Sequence, residues 1–213
     1  MENKKIIKKL FSKNYRKVLD VGGERGSYYF LKENIQDANI FCINIDSKTL
    51  PKEKSKVILA DAQFLPFKEK TFDLIFAREV LEHLINPDKF LSEIKRTLKY
   101  RGEIILTTPN LNAWQNRILI LFGFAPTNYT PYPTRTYGVP GFFKTKPLYD
   151  HPRLFPYRAL KEIFNSNGFK LEKILGVNMA ERGRWLRNLR KLIDMILPVS
   201  WKEDIVLKAV KCR

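Results

Sequence analysis

Residues 18–30 read VLDVGGERGSYYF. An apolar run, Val18 to Val21 with Asp20 inside it, stops abruptly in Gly22 and Gly23. That pattern predicts a buried strand entering a tight turn. Residues 26–35 can form a helix, so the stretch spells strand, glycine loop and helix in succession. Glycines let the backbone come close to a ligand, and the start of the following helix offers N–H donors with no helical acceptor. One residue sits awkwardly. Glu24 stands where a cofactor loop usually has another small residue. Alone the loop is a weak signal, and the rest of the chain decides its meaning.

Working outward, NIFCINID (39–46), KVILAD (56–61), FDLIFA (72–77) and EIILTT (103–108) predict four further strands. Ile6, Ile7, Leu10 and Phe11 share helical spacing near the start of the chain. Pro87 and Asp88 open a helix predicted over 88–99, with Phe90, Leu91, Ile94 and Leu98 as its apolar face. A helix over 157–167 and two more strands, FKLEKILGV (169–177) and DIVLKAVK (204–211), follow. Apolar strands alternating with helices predict an α/β class, a doubly wound, mostly parallel seven-stranded sheet with helices on both faces. The last two strands are expected as an antiparallel hairpin at one edge. Ligands of such sheets bind beyond the carboxyl ends of the strands, where strand order reverses.

The whole chain, 1–213, is read as one domain with two insertions. In the first, 111–156, regularity lapses: residues 125–158 hold seven of the twelve prolines and five of the nine tyrosines, as a lid over a substrate would. The second, 177–200, contains a basic amphipathic helix at 184–197. Trp185, Leu186, Leu189, Leu192, Ile193 and Ile196 share one face of it, and Arg184, Arg187, Arg190 and Lys191 take the other. Such a helix either packs on the sheet edge with its arginines in water or lies in a membrane interface.

The formal net charge is +17. Residues 111–213 supply +11 of it, with 18 Lys and Arg against 7 Asp and Glu. This favours an anionic partner without naming it. Cys42 and Cys212 are too few for a disulfide framework or a zinc site, which fits a reducing compartment. The basic N-terminus has no apolar core of a signal peptide, and no apolar run reaches the roughly 20 residues that span a bilayer. A cytoplasmic protein, peripheral at the inner membrane face, is therefore expected.

Three features at later strand ends give the glycine loop its context. Asp46 follows strand two, where a carboxylate can accept from both hydroxyls of a ribose. Asp61-Ala62 follows strand three, where a carboxylate can accept from an exocyclic amine beside the apolar wall of LPF. REVLEHL (78–84) begins at the end of strand four. Together, VLDVGGERG, NID, ADAQFLPFKEKTFDLIFAREVLEHL and FLSEIKRTLKYRGEIILTTPN resemble the class I S-adenosylmethionine-dependent methyltransferases, a Rossmann-like family, and among them the small type 11-like branch. The resemblance covers about residues 15–110 and extends loosely through 151–174.

What the resemblance implies can be stated residue by residue. S-adenosyl-L-methionine is the cofactor. Asp20, Gly22, Gly23 and Gly26 surround its methionine and sulfonium part, Asp46 binds the ribose, Asp61 takes the adenine amine and the Ala62 backbone addresses the ring. Ala77 and Arg78 line the methionine end. A nicotinamide-binding loop would need a glycine at position 24 and fits less well. The catalytic group is not fixed. His83, within VLEHL, reads first as a structural residue, and His151 as either a base or an anchor for the lid. Glu82 reads as a supporting group and Asn110 as a turn residue. No metal-ligand cluster is visible, so no metal is expected. There is neither an Asn/Asp-Pro-Pro-aromatic motif nor a Pro-Cys nucleophile. The expected acceptor atom is therefore an oxygen, or an ordinary nitrogen or carbon, on a modest-sized substrate, and the resemblance implies a small-molecule, lipid-linked or sugar-linked acceptor. The alternatives are an RNA methyltransferase using the basic surface and a non-catalytic membrane-associated module.

Overall fold

The structure is a computed structural model, and it describes residues 2–11, 15–52, 56–129, 137–140, 151–177 and 196–212. Most of the predicted basic helix at 184–197 and much of the predicted lid fall outside these residues.

In chain order the elements are α1 (Glu2–Lys8), β1 (Lys17–Val21), α2 (Arg25–Asn34), β2 (Asn39–Asn44), β3 (Val57–Leu59) and β4 (Phe72–Arg78). A single 3-10 turn, Leu81–His83, leads to α3 (Pro87–Thr97), β5 (Leu98–Pro109) and α4 (Trp114–Leu121). Then come α5 (Tyr157–Ser166), β6 (Phe169–Val177), a second 3-10 turn (Val199–Trp201) and β7 (Asp204–Lys211). The strands form one sheet in the order β3-β2-β1-β4-β5-β7-β6. Strands β1 to β5 are mutually parallel, and β7 runs antiparallel to both neighbours. The expected hairpin is present, with β7 inserted between β5 and β6.

The apolar strands are explained by burial on two sides. Leu19, Val21, Ile75 and Ala77 pack on one face with Phe90, Leu91 and Ile94 of α3 and Leu160 and Phe164 of α5. Val18, Leu74 and Phe76 pack on the other with Ile7 of α1 and Tyr28, Phe30 and Leu31 of α2. Successive side chains of a strand point to opposite faces, so two covered faces demand a continuous apolar run. Lys208, in the middle of β7, is buried and ion-paired with Glu103 at 3.1 Å and Glu172 at 3.4 Å.

Helix starts follow local chemistry. Asn86 caps α3, its side-chain oxygen accepting from Lys89 N–H at 3.0 Å, with Pro87 in the first turn. Glu24 caps α2, and its N–H donates to Ser27 Oγ at 3.0 Å. The odd residue of the glycine loop is therefore the helix cap, which is why a small residue is not needed there.

Candidate active site

Strand order reverses between β1 and β4: β1 connects outward to β2 and β3, and the chain then returns to β4 on the other side. The loops at the carboxyl ends of these two strands meet. Gly22 has φ +65°, and a Cβ there would lie 2.4 Å from Val80 Cγ2. A Cβ on Gly23 would lie 2.4 Å from Cys42 Sγ and 2.6 Å from Asp20 Oδ2. Both glycines are required by the fold itself. Gly26, exposed in the first turn of α2, has nothing within 4 Å of an added Cβ. Packing does not ask for glycine at 26.

Asp20 is fully buried on the α2 face of β1. Ser27 Oγ donates to its Oδ2 at 2.7 Å, while Oδ1 is buried with no hydrogen-bond partner. Burial pushes the carboxyl up to about 7, against the opposing pull of the Ser27 hydroxyl and the Arg78 cation. Such an orphaned acceptor is costly unless a donor or cation arrives. An ammonium group, as on the methionine end of the cofactor, would fit. Cys42, behind the loop, is buried, and its thiol is held protonated by burial and by Asp20.

Asp46 lies two residues beyond β2 rather than on it. It is exposed, and Lys48 N–H donates to its Oδ1 at 2.9 Å. Asp61 likewise lies two residues beyond the three-residue β3. Its carboxylate accepts from Gln63 N–H at 2.8 Å and from the Gln63 amide at 3.1 and 3.2 Å. Gln63 Oε1 in turn accepts from Asn86 N–H at 2.8 Å, which ties this loop to the start of α3. Ala62 is half-buried against the core. Ala77 is wholly inside the core, so its side chain is packing, whereas Arg78 is half-buried at the rim.

After β4 the chain turns sharply at Glu79, a non-glycine residue at φ +54°. Its N–H donates to the Thr107 carbonyl at 3.0 Å, and Thr107 Oγ1 donates to its carboxyl at 2.6 Å. Thr108 Oγ1 does the same for Glu82 at 3.0 Å. Glu82 Oε1 is buried with no hydrogen-bond partner, and burial raises both carboxyls above their ordinary values. Burial, then repulsion by Glu79, pushes Glu82 well above the usual carboxylate range. This acid pair was not visible in the sequence, because its partners, the two threonines, lie on the neighbouring strand.

The structure also joins the two histidines. The His83 and His151 rings meet edge to face, 4.5 Å between centroids. Glu82, His83 and His151 each bring one potential ligand atom within 4.8 Å of the others, a grouping not anticipated from the sequence. His151 Nδ1 lies 3.1 Å from the Asn128 carbonyl, which can only accept. The proton is thereby placed on Nδ1 and the basic lone pair on Nε2. Arg153 donates to the Leu84 carbonyl, and Leu111 N–H donates to the Phe155 carbonyl, fastening this segment across the ends of β4 and β5. Asn110 is more than a turn residue. Its amide donates to the Ser200 and Lys202 carbonyls at 3.0 and 2.8 Å, and its N–H to the Glu203 carbonyl at 2.9 Å.

Comparison with known proteins agrees with this geometry. A family model described as a methyltransferase domain matches residues 2–174. An uncharacterised protein of Methanocaldococcus jannaschii is 38% identical over 107 residues, covering 49% of this chain and 46% of that protein. A tRNA U34 carboxymethyltransferase of Sulfurimonas denitrificans is 31% identical over 114 residues, covering 48% of this chain and 38% of that protein. The match thus spans less than half the length of these curated relatives. Among solved structures, an S-adenosylmethionine-dependent methyltransferase of Thermotoga maritima superposes with a TM-score of 0.66 at 17% identity, covering 98% of this chain and 87% of that one. With this match over residues 2–174 and this sheet order, the chain belongs to the class I S-adenosylmethionine-dependent methyltransferase family.

Proposed function

We propose that the protein moves the methyl group of S-adenosylmethionine to an oxygen of a small-molecule, lipid-linked or sugar-linked acceptor, with His151 taking the proton. The observation that carries the reading is buried Asp20 of β1, with its unpartnered Oδ1, followed by Asp46 two residues beyond β2 and Asp61 two residues beyond β3. Asp20, with its orphaned Oδ1, would hold the methionine end with Gly22, Gly23, Gly26 and Arg78. Asp46 would hold the ribose, and Asp61 with the Ala62 backbone the adenine.

The cofactor, when bound, supplies an electrophilic methyl group on a sulfonium. This chain's task is to align the acceptor, keep water away and receive one proton. His151 Nε2 would accept the proton that the acceptor oxygen releases as it gains the methyl group and the sulfonium C–S bond breaks, leaving S-adenosylhomocysteine. The contact of Nδ1 with the Asn128 carbonyl sets that tautomer, and the His83 ring packed against it fixes the plane. Burial raises the Glu79 and Glu82 carboxyls, which favours their protonated forms beside the two histidines.

Calorimetry with S-adenosylhomocysteine, followed by labelled-methyl incorporation into separate small-molecule, lipid and RNA fractions, tests the proposal. Binding, weakened by Asp46→Ala, and label in the small-molecule or lipid fraction support it. No binding at millimolar ligand overturns the cofactor site. Label confined to RNA overturns the acceptor class in favour of the basic surface as an RNA-binding face. Binding without transfer into any fraction overturns catalysis.

A further inference from the structure

β5 leaves the sheet at Pro109, turns through Asn110 and enters α4 directly. Gln115, Asn116 and Leu119 of this helix are buried, and the rest of its apolar surface is not. Ile118 and Ile120 are about half exposed, and Leu121 and Phe122 are 79% and 71% exposed. Phe124 continues the patch at 43%. Single exposed apolar residues are ordinary, but a contiguous run of them marks a contact surface.

A second chain segment completes the surface. Leu197 and Trp201 join Trp114, Arg117, Ile118 and Leu121 around an open groove of about 270 Å³. Ile196 beside it is 85% exposed. The two segments are bolted together beneath the surface. Asn110 donates to the carbonyls of Ser200, Lys202 and Glu203, and the Gln115 amide donates to the Glu203 carboxylate. The face is therefore built, not a frayed end.

Among the described residues 111–129 the sole charged side chain is Arg117, and there is no acid. The Arg117 guanidinium stands over the Trp201 ring at 4.4 Å. An indole with a cation above it, at the rim of an apolar patch, matches the boundary between acyl chains and headgroups. The chain's net charge of +17 opposes a second copy of itself at this face. Nucleic acid would want exposed cations and not exposed isoleucine, leucine and phenylalanine.

We infer that α4 and the Val199–Trp201 turn form a docking face for an anionic lipid surface. Ile118, Leu121 and Phe122 enter the acyl boundary, and Arg117 and Trp201 sit at headgroup level. Ile196 and Leu197, the last residues of the helix expected at 184–197, border this face, which lies on described residues. Because α4 starts at the carboxyl end of β5, docking sets the candidate active site against the membrane.

Vesicle co-sedimentation tests the inference, using phosphatidylcholine alone and phosphatidylcholine with about a third phosphatidylglycerol, at low and physiological salt. The protein should bind the anionic vesicles at least tenfold better, with a blue shift of tryptophan emission that Trp201→Phe diminishes. Leu121→Glu with Phe122→Glu should cut that binding at least tenfold, with melting temperature and S-adenosylhomocysteine affinity unchanged. Those two controls separate a failed docking face from a misfolded variant and from a failed cofactor site. No vesicle binding at low salt overturns the inference. So does binding unaffected by the double variant, which would be adsorption by charge alone. A dimer in solution that the double variant splits assigns the face to a second copy and also overturns it.

Discussion

Gly22 and Val80 touch across the crevice between β1 and β4, so closely that a Cβ on the glycine would sit 2.4 Å from Val80 Cγ2. Gly22→Ala adds both this clash and the cost of alanine at φ +65°. It should destabilise the protein by roughly 2 kcal/mol in urea unfolding and weaken S-adenosylhomocysteine at least tenfold. Gly26→Ala meets nothing within 4 Å. It should leave the urea midpoint unchanged or slightly raised while still weakening the ligand, because only the ligand needs that space. Equal ligand affinity for Gly26→Ala and the parent would remove Gly26 from the cofactor site.

Asp20 sets a pH dependence. Its carboxyl is raised from 3.8 to about 7 by burial. Between those values the folded chain holds a proton that the unfolded chain has released, so the stability of the unliganded protein falls as pH rises through the window. Asp20→Asn should flatten that fall and raise the melting temperature at pH 8. Ligand binding runs the other way. The ammonium of S-adenosylhomocysteine favours ionised Asp20, so affinity should rise about tenfold from pH 6 to 8, with proton release seen by calorimetry in buffers of different ionisation heat. A flat affinity profile would place the ammonium elsewhere.

His151 carries the proposed proton transfer. His151→Ala should lower kcat by about 10²–10⁴ with S-adenosylhomocysteine affinity nearly unchanged. His151→Asn tests anchoring separately, since its amide can still donate to the Asn128 carbonyl but has no basic nitrogen. Activity restored by asparagine would make His151 an anchor. Chelators should leave kcat unchanged. A loss on chelation would reassign Glu82, His83 and His151 from proton transfer to metal binding.

Asn110→Ala removes both amide bonds to the Ser200 and Lys202 carbonyls and the acceptor for Asn112 N–H at 3.0 Å. A loss of about 1–3 kcal/mol in urea unfolding is expected. Asn110→Asp keeps the acceptor but faces two carbonyls with a charge, and should cost at least as much. A stability loss of under about 0.5 kcal/mol for both would mean the latch is not what joins α4 to the Val199–Trp201 turn.

Periodicity placed most of the sheet. β6 and β7 begin and end where their apolar runs do, because both runs are bounded by glycine, acid or turn residues. The reading slipped where local and long-range signals overlap. Leu98 keeps the helical spacing of Phe90, Leu91 and Ile94, yet it is the first residue of β5, paired with Phe72. Asp46 and Asp61 were expected as strand ends and stand two residues beyond, because pairing along β2 and β3 stops earlier than the apolar pattern. The acids and glycines of the candidate site are legible in the sequence because each belongs to a local motif. The Glu79–Thr107 and Glu82–Thr108 pairs, the His83–His151 contact and the Asn110 latch are not. Each joins residues 26 to 92 positions apart, and no spacing rule reaches that far.

The position of β7 makes β6 a dependent strand. Within the sheet β6 pairs only with β7, whereas β7 is gripped on both sides. Any fluctuation that frees β7 must free β6, while β6 can peel away and leave β7 on β5. Amide hydrogens donated by β6 can therefore never be better protected from solvent exchange than those of β7. The sheet loosens from that edge inward, and the β1–β4 crevice is among the last parts to feel it.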